Sequence, residues 1–241
     1  HLVLQVAGRT RTPVIALCPD DAVPGAGVPW VIRLLPSTQE EAALVFPLAS
    51  RWLFLVPPGR DGRDRESDLL AAAGRAGVEA RVHSAVGTPE PREGEAVGVW
   101  LDPPEAGSQV KALRSAGFRG TLVGPGWLRG SEFAGAAGPA AEGMTLVVTG
   151  HDPATLEARR AWAGRFRVSE GRDPDEWAFL GADLMVLADR LRQKAGGGGW
   201  HRAFPAGDLG RGWTGSFDFG PRGERRLRLT LWRWPAGRPV D

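Results

Sequence analysis

The sequence predicts an α/β protein built from parallel strands that are covered by helices. Three observations carry that expectation. Short apolar runs alternate with amphipathic segments along most of the 241 residues, which is the pattern of repeated strand–helix units. Several of the runs are apolar without alternation, Arg51–Val56 most clearly, and a strand of that kind is buried on both faces, as in a parallel sheet. With 42% hydrophobic residues, the chain can bury a sizeable core.

Taken in order, Pro13–Leu17 reads as a buried strand that stops at the turn cluster Cys18-Pro19-Asp20-Asp21. Val28–Leu34 is a second extended segment. A helix follows from Pro36-Ser37-Thr38-Gln39-Glu40, where Ser37 and Glu40 have the spacing of a capping box. Arg51–Val56 is a central strand, closed by Pro57–Gly62, and Glu66–Ala76 a helix. Glu79–His83 alternates, as a strand nearer an edge does. Thr88–Glu95 is a polar loop, Ala96–Leu101 a buried strand, and Glu105–Ala116 a helix with Gly117 placed to end it in a left-handed conformation. Thr121–Gly124 and Met144–Val148 are further strands.

Pro153–Glu170 and Asp175–Ala195 then form a helix pair. The second helix carries an apolar stripe through Trp177, Leu180, Leu184, Leu187, Ala188 and Leu191. After the Gly196–Gly199 break, Gly212–Asp218 and Leu227–Trp234 read as a terminal β-hairpin, with one face of the last strand wet.

Composition excludes several classes of function. The net charge of +2 (30 basic against 28 acidic side chains, 28 of the basic ones Arg) does not mark a nucleic-acid binder. Cys18 is the single cysteine, which excludes a disulfide framework. The four histidines, His1, His83, His151 and His201, are scattered, so no Cys/His zinc cluster can form. No apolar run approaches the roughly 20 residues of a membrane-spanning helix. Gly124-Pro125-Gly126 and Gly196–Gly199 do not continue into a phosphate-binding loop or a dinucleotide fingerprint. Ser131 and Ser216 lack the nucleophile elbow. An enzyme is therefore not expected, although Asp20 and Asp102 have the chemistry of an acid–base pair if they meet.

Two features invite a binding role. Asp20, Asp21, Asp61 and Asp102 each follow the carboxyl end of an expected strand, and ligands of open α/β sheets bind at that edge. Such a set of carboxylates favours a cationic or donor-rich ligand; the alternative is loop aspartates that accept backbone amides. Of the ten tryptophans, Trp52, Trp100 and Trp177 fall on core-facing patterns. Trp127, Trp200, Trp213, Trp232 and Trp234 lie in loops or on the tail strand, where arginine stacked on indole accounts for the interleaving better than nucleic acid does.

Four stretches in order resemble the type I periplasmic binding proteins, the Leu/Ile/Val-binding group. They are Pro13 to Arg33, Gly117–Gly124, Ala137–Met144, and Trp213–Asp218 followed by Gly223-Glu224. The resemblance runs from about Thr12 to the end. It implies two α/β lobes that close around a small solute by hinge motion, with no covalent chemistry, cofactor or metal. Residues 1–48 with about 176–208 would form a first lobe that is reduced, because that group carries a longer stretch before Thr12, and 49–175 with about 209–241 the second.

The resemblance further implies a solute and a membrane permease as partners and a periplasmic or extracytoplasmic location. Its ligand set is altered here: the family's small hydroxyl residues appear as Asp20-Asp21-Ala22, its aromatic contact as Asp61, and its ammonium-holding acid falls at or beside Gly126-Trp127. The expected contact residues are Asp20, Asp21, Asp61, Asp102, Glu105 and Trp127. The alternative is a degenerate module that self-associates or binds a protein through the reduced lobe, since a truncated lobe exposes apolar surface.

Overall fold

The computed structural model describes residues 2–149, 156–204, 207–234 and 238–239. In chain order the elements are α1 (Leu2–Thr10), β1 (Val14–Ala16), α2 (Ala22–Gly25), β2 (Val31–Arg33), α3 (Thr38–Val45), β3 (Arg51–Val56), α4 (Arg60–Ala76), β4 (Glu79–Ser84), β5 (Ala96–Val99) and α5 (Pro103–Ser115). They continue with β6 (Leu122–Pro125), α6 (Ser131–Ala137), β7 (Thr145–Thr149), α7 (Leu156–Glu170), α8 (Glu176–Ala195), β8 (Asp208–Gly212), β9 (Gly215–Asp218), β10 (Leu229–Arg233) and β11 (Arg238–Pro239). The chain divides into two compact units, His1–Ser37 with Thr149–Arg228, and Thr38–Val148 with Leu229–Asp241.

The second of these units holds a seven-stranded sheet in the order β11-β10-β7-β6-β5-β3-β4, of which β4, β3, β5, β6 and β7 are parallel. Period-two alternation sends neighbouring side chains to opposite faces, so one strand feeds two cores. Leu53, Leu55, Val97 and Val99 pack with Val110 and Leu113 of α5 and Phe133 of α6. Trp52, Phe54, Ala96 and Val123 pack with Ala42 and Val45 of α3 and Leu69 and Ala73 of α4. Continuous apolar sequence in Arg51–Val56 is the direct consequence. Its alternating neighbour Glu79–Ser84 lies at the sheet edge, with both terminal residues exposed.

On the α3/α4 face the rings interlock. Trp52 stacks on Phe54 at 5.5 Å, and Phe54 meets Trp100 edge-on at 5.3 Å. Gly98 pairs in register with Phe54, and a Cβ there would lie 2.3 Å from Phe54 Cδ1 and 2.8 Å from Trp100 Cζ3. Its hydrogen is what lets the two rings approach.

The other unit contains the parallel pair β1–β2, in the register Val14↔Val31 to Ala16↔Arg33, and the antiparallel hairpin β8–β9. Ile32 and Leu34 pack with Leu180, Leu187 and Leu191 of α8 and with Phe217 of β9. Leu4 and Ala7 of α1 close over Val23 and Val31. Beneath the hairpin turn, the fully buried Asp183 accepts from the backbone amides of Trp213 and Thr214, from the Thr214 hydroxyl, and faces Arg225 at 3.8 Å.

Several sequence expectations are corrected. The helix expected from Glu66 starts at Arg60, because Gly62 in its first turn lets the chain close over Pro57: a Cβ there would fall 1.7 Å from the Pro57 carbonyl oxygen. Leu2–Thr10 and Ser131–Ala137 are helices that the sequence reading left unassigned. The terminal hairpin does not form as expected. Strand β9 pairs with β8, whereas β10 joins the seven-stranded sheet beside β7.

Trp177 is 48% exposed rather than core-facing. Helix α8 buries the face through Leu180, Asp183, Leu187 and Leu191, which leaves Trp177 and Met185 outward. The unit boundaries also fall elsewhere than expected. Helix α3 goes with the large sheet because Ala42 and Val45 pack under Trp52 and Phe54; 209–228 goes with α8 because Asp183 holds the hairpin turn; and α7 goes there too because Arg159 donates to the Trp213 carbonyl. The expected helical residues 153–155, together with His1 and His151, lie outside the described residues.

Candidate functional site

Strands β3, β5 and β6 are parallel neighbours, so the loops that follow them emerge on one edge of the sheet. After β3, the first turn of α4 carries Asp61, which is exposed. After β5, the chain runs through Trp100 and Leu101 to Asp102, the residue preceding α5, with Glu105 in the first turn of that helix. After β6, a short 3-10 turn, Gly126–Leu128, presents Trp127 half-buried. Four of the expected contact residues thus share the carboxyl edge of one sheet.

What organises this edge is a residue the sequence reading did not single out. Arg65, on the second turn of α4, donates from Nη1 to the Trp100 carbonyl at 2.7 Å. Its Nη2 lies 3.9 Å from Asp102 Oδ1, and its guanidinium is 5.6 Å from the centre of the Trp127 ring. Trp127 in turn donates its indole N–H to the Leu101 carbonyl at 3.1 Å. Three loops are therefore tied together by two backbone carbonyls and one cation. The helix start explains the miss. With α4 expected from Glu66, Arg65 fell in a loop; in a helix starting at Arg60 it stands one turn after Asp61, on the same face.

A second unanticipated group lies below. Glu41 of α3 is 3% exposed, and its Oε2 accepts from the Trp100 indole N–H at 3.2 Å. Burial pushes its carboxyl up to about 8, against the smaller opposing pulls of the Trp100 hydrogen bond and the Arg65 charge. Burial thus favours the protonated, neutral form of Glu41. The Glu105 carboxyl is also raised from the ordinary carboxylate range, first by burial and then by the nearby Asp102 charge, with Arg65 opposing.

Asp20 and Asp21 belong to the other unit and are engaged within it. Asp20 Oδ1 accepts the Ala22 amide at 2.7 Å, and Asp21 pairs with the buried guanidinium of Arg33. In that unit a buried polar cluster has a structural role. Asp183 and Arg225, both without exposed side-chain surface, hold the Trp213–Thr214 turn, and burial brings Arg225 down to about 10. Among the described residues, no group of three His, Cys, Asp or Glu side chains is placed to hold a metal ion. No helix among them is long and apolar enough to cross a membrane.

The sequence matches no protein-family model and no curated protein. Solved structures do match. A leucine-binding protein from Thermotoga maritima superposes with a TM-score of 0.74 at 17% identity, covering 99% of this chain and 74% of that one. A branched-chain amino acid transporter substrate-binding protein from Streptococcus pneumoniae, solved with isoleucine, gives 0.75 at 16%, covering 99% and 74%. A solute-binding protein of an ABC transporter from R. palustris, solved with benzoate, gives 0.75 at 18%, covering 98% and 72%. The chain has the α/β fold of these type I periplasmic binding proteins and is shorter than each of them.

Proposed function

We propose that this chain binds a small solute without transforming it, as the substrate-binding component of an ABC-type transporter or a related sensor, outside the cytoplasm. The observation that supports this reading is the fold, shared over nearly the whole chain with proteins solved holding leucine, isoleucine, valine or benzoate. The proposed contacts are Asp61, Asp102, Glu105 and Trp127 at the carboxyl edge of the large sheet, with Asp20 and Asp21 as candidates in their own unit. A half-buried indole beside charged groups offers an apolar platform with polar anchors, the usual make-up of a small-molecule site.

Thermal-shift and calorimetric titrations with leucine, isoleucine, valine, benzoate, simple amides and polyamines test the reading. One chemical class should release heat and raise the melting temperature. At a ligand concentration 100 times Kd, binding adds about 2.7 kcal/mol of stability. A flat response to every class overturns the proposal.

A second reading, self-association, is supported by one stripe of α1. Leu2, Val3 and Val6 are 74%, 63% and 51% exposed. Light scattering over a wide concentration range tests it, and a monomer throughout removes it.

A further inference from the structure

The amino edge of the large sheet, where β5 and β6 begin, gathers cations without acids. From Ala106 to Ser131 the sequence holds Lys111, Arg114, Arg119 and Arg129 and no Asp or Glu, in a chain whose charges otherwise nearly balance. Lys111 and Arg114 are i, i+3 neighbours near the end of α5, and Arg119 follows in the turn that leads to β6. Arg114 Nη1 donates to the Phe118 carbonyl at 3.0 Å and to the Gly120 carbonyl at 3.1 Å. Arg119 Nη1 donates to the same Phe118 carbonyl at 3.1 Å and to the Arg114 carbonyl at 2.9 Å. Sharing one oxygen puts the two Nη1 atoms within about 6 Å of each other, close enough for like charges to repel.

The carboxyl end of a helix attracts a cation, but one guanidinium meets that need and here two converge. Arg114 is held below its ordinary range, first by burial and then by the Arg119 charge, with no carboxylate opposing. Glu95, whose carbonyl lies beside Gly120, commits its carboxylate to Arg81. The bonds to carbonyls use Nη1 alone, which leaves Nε and Nη2 of both forks for a further acceptor. We propose that Lys111, Arg114 and Arg119 bind a phosphate group, either free in solution or on a lipid headgroup. Guanidinium forks match phosphate oxygens in pairs, and an anion between them turns a repulsion into two attractions. The site lies away from the carboxyl edge, so it stands or falls independently of the solute-binding reading.

Calorimetry and melting curves with inorganic phosphate, at constant ionic strength and beside chloride and acetate, test the assignment. Phosphate should bind saturably and raise the melting temperature, while chloride and acetate do neither. Arg114→Gln and Arg119→Gln should each weaken phosphate about tenfold or more, and Lys111→Gln less, since its ammonium is exposed. Arg165→Gln, at an exposed position of α7, removes the same charge and should bind phosphate as the parent does. Without phosphate, Arg119→Gln should melt at or above the parent, because a repelling neighbour is gone. An equal drop in its melting temperature with and without phosphate would mark a helix cap only and overturn the site. Sedimentation with phosphatidic acid vesicles, lost in the double variant Arg114→Gln with Arg119→Gln, would place the phosphate on a lipid; phosphate binding without sedimentation would make it a soluble group. Failure of the parent to bind either, a chloride response equal to that of phosphate, or unchanged binding in the folded double variant overturns the proposal.

Discussion

The indole N–H of Trp100 donates to the carboxyl of Glu41 across 3.2 Å, inside a core where Glu41 is 3% exposed and Trp100 has no exposed surface. The pair joins α3 to the end of β5, and the Trp100 carbonyl on the same residue is the acceptor for Arg65. One tryptophan thus connects a buried acid to the cation at the candidate site.

A pH dependence follows from that burial. The folded carboxyl titrates at about 8 against an ordinary 4.5, so between those values the folded chain holds a proton that the unfolded chain has released. Stability must then fall as pH rises through that window and level off above it. Each pH unit inside the window costs up to about 1.4 kcal/mol, roughly 3–6 °C for a chain of this size. Melting curves from pH 5 to 9 should slope downward in the parent and be flatter in Glu41→Gln. Equal slopes would remove Glu41 as the cause.

Substitution Gly98→Ala should be severe for so small a change. The new methyl would enter between Phe54 and Trp100, at 2.3 and 2.8 Å, and both rings are held by their neighbours. Overpacking of this kind costs about 1–3 kcal/mol. Denaturant titration should place Gly98→Ala in that range, while Gly74→Ala on α4, where a Cβ meets nothing within 4 Å, should be neutral or stabilising.

The pair Asp183–Arg225 predicts a non-additive result. Asp183→Ala strands a guanidinium that has no exposed side-chain surface and leaves the Trp213 and Thr214 amides without their acceptor. A loss of about 3–5 kcal/mol is expected for breaking one side of a buried pair. The double change Asp183→Leu with Arg225→Met should be less damaging than the sum of its singles, as read by a double-mutant cycle. Additive losses would mean that the two charges do not interact.

On the acid side, Glu95 is the group to follow. Arg81 forms a forked pair with it at 2.8 and 2.7 Å, and this contact, more than the opposing burial, holds its carboxyl below the ordinary range. The stability it supplies is complete above the unfolded value and is lost as pH falls through the folded one. Arg81→Met should remove that acid-induced loss and cost about 2 kcal/mol at neutral pH, because Glu95 stays buried without its partner. A parent-like acid melting profile in Arg81→Met would disprove the assignment.

Much of the fold could be read before any coordinates. Arg51–Val56, Ala96–Val99 and Leu122–Pro125 are apolar without alternation because both faces of a central parallel strand are covered, and Glu79–Ser84 alternates because it lies at the edge. Gly117, with φ +93, ends α5 where the sequence placed a stop. Such signals are local: periodicity and turn chemistry act within a few residues of the chain.

The candidate site was legible only in part, for the same reason. Strand ends marked Asp61, Asp102, Glu105 and Trp127, since the carboxyl edge of a parallel sheet follows from chain direction. Arg65 was hidden by a helix start that depends on Gly62 passing the Pro57 carbonyl, and Glu41 by a hydrogen bond to a residue 59 positions away. Trp177 was placed inward by spacing alone, and the packing of α8 turned it out. Pattern along a chain records which side of an element is apolar. Which charges meet, and which of them lose their water, depends on distances between elements far apart in sequence, and those exist only once the chain has folded.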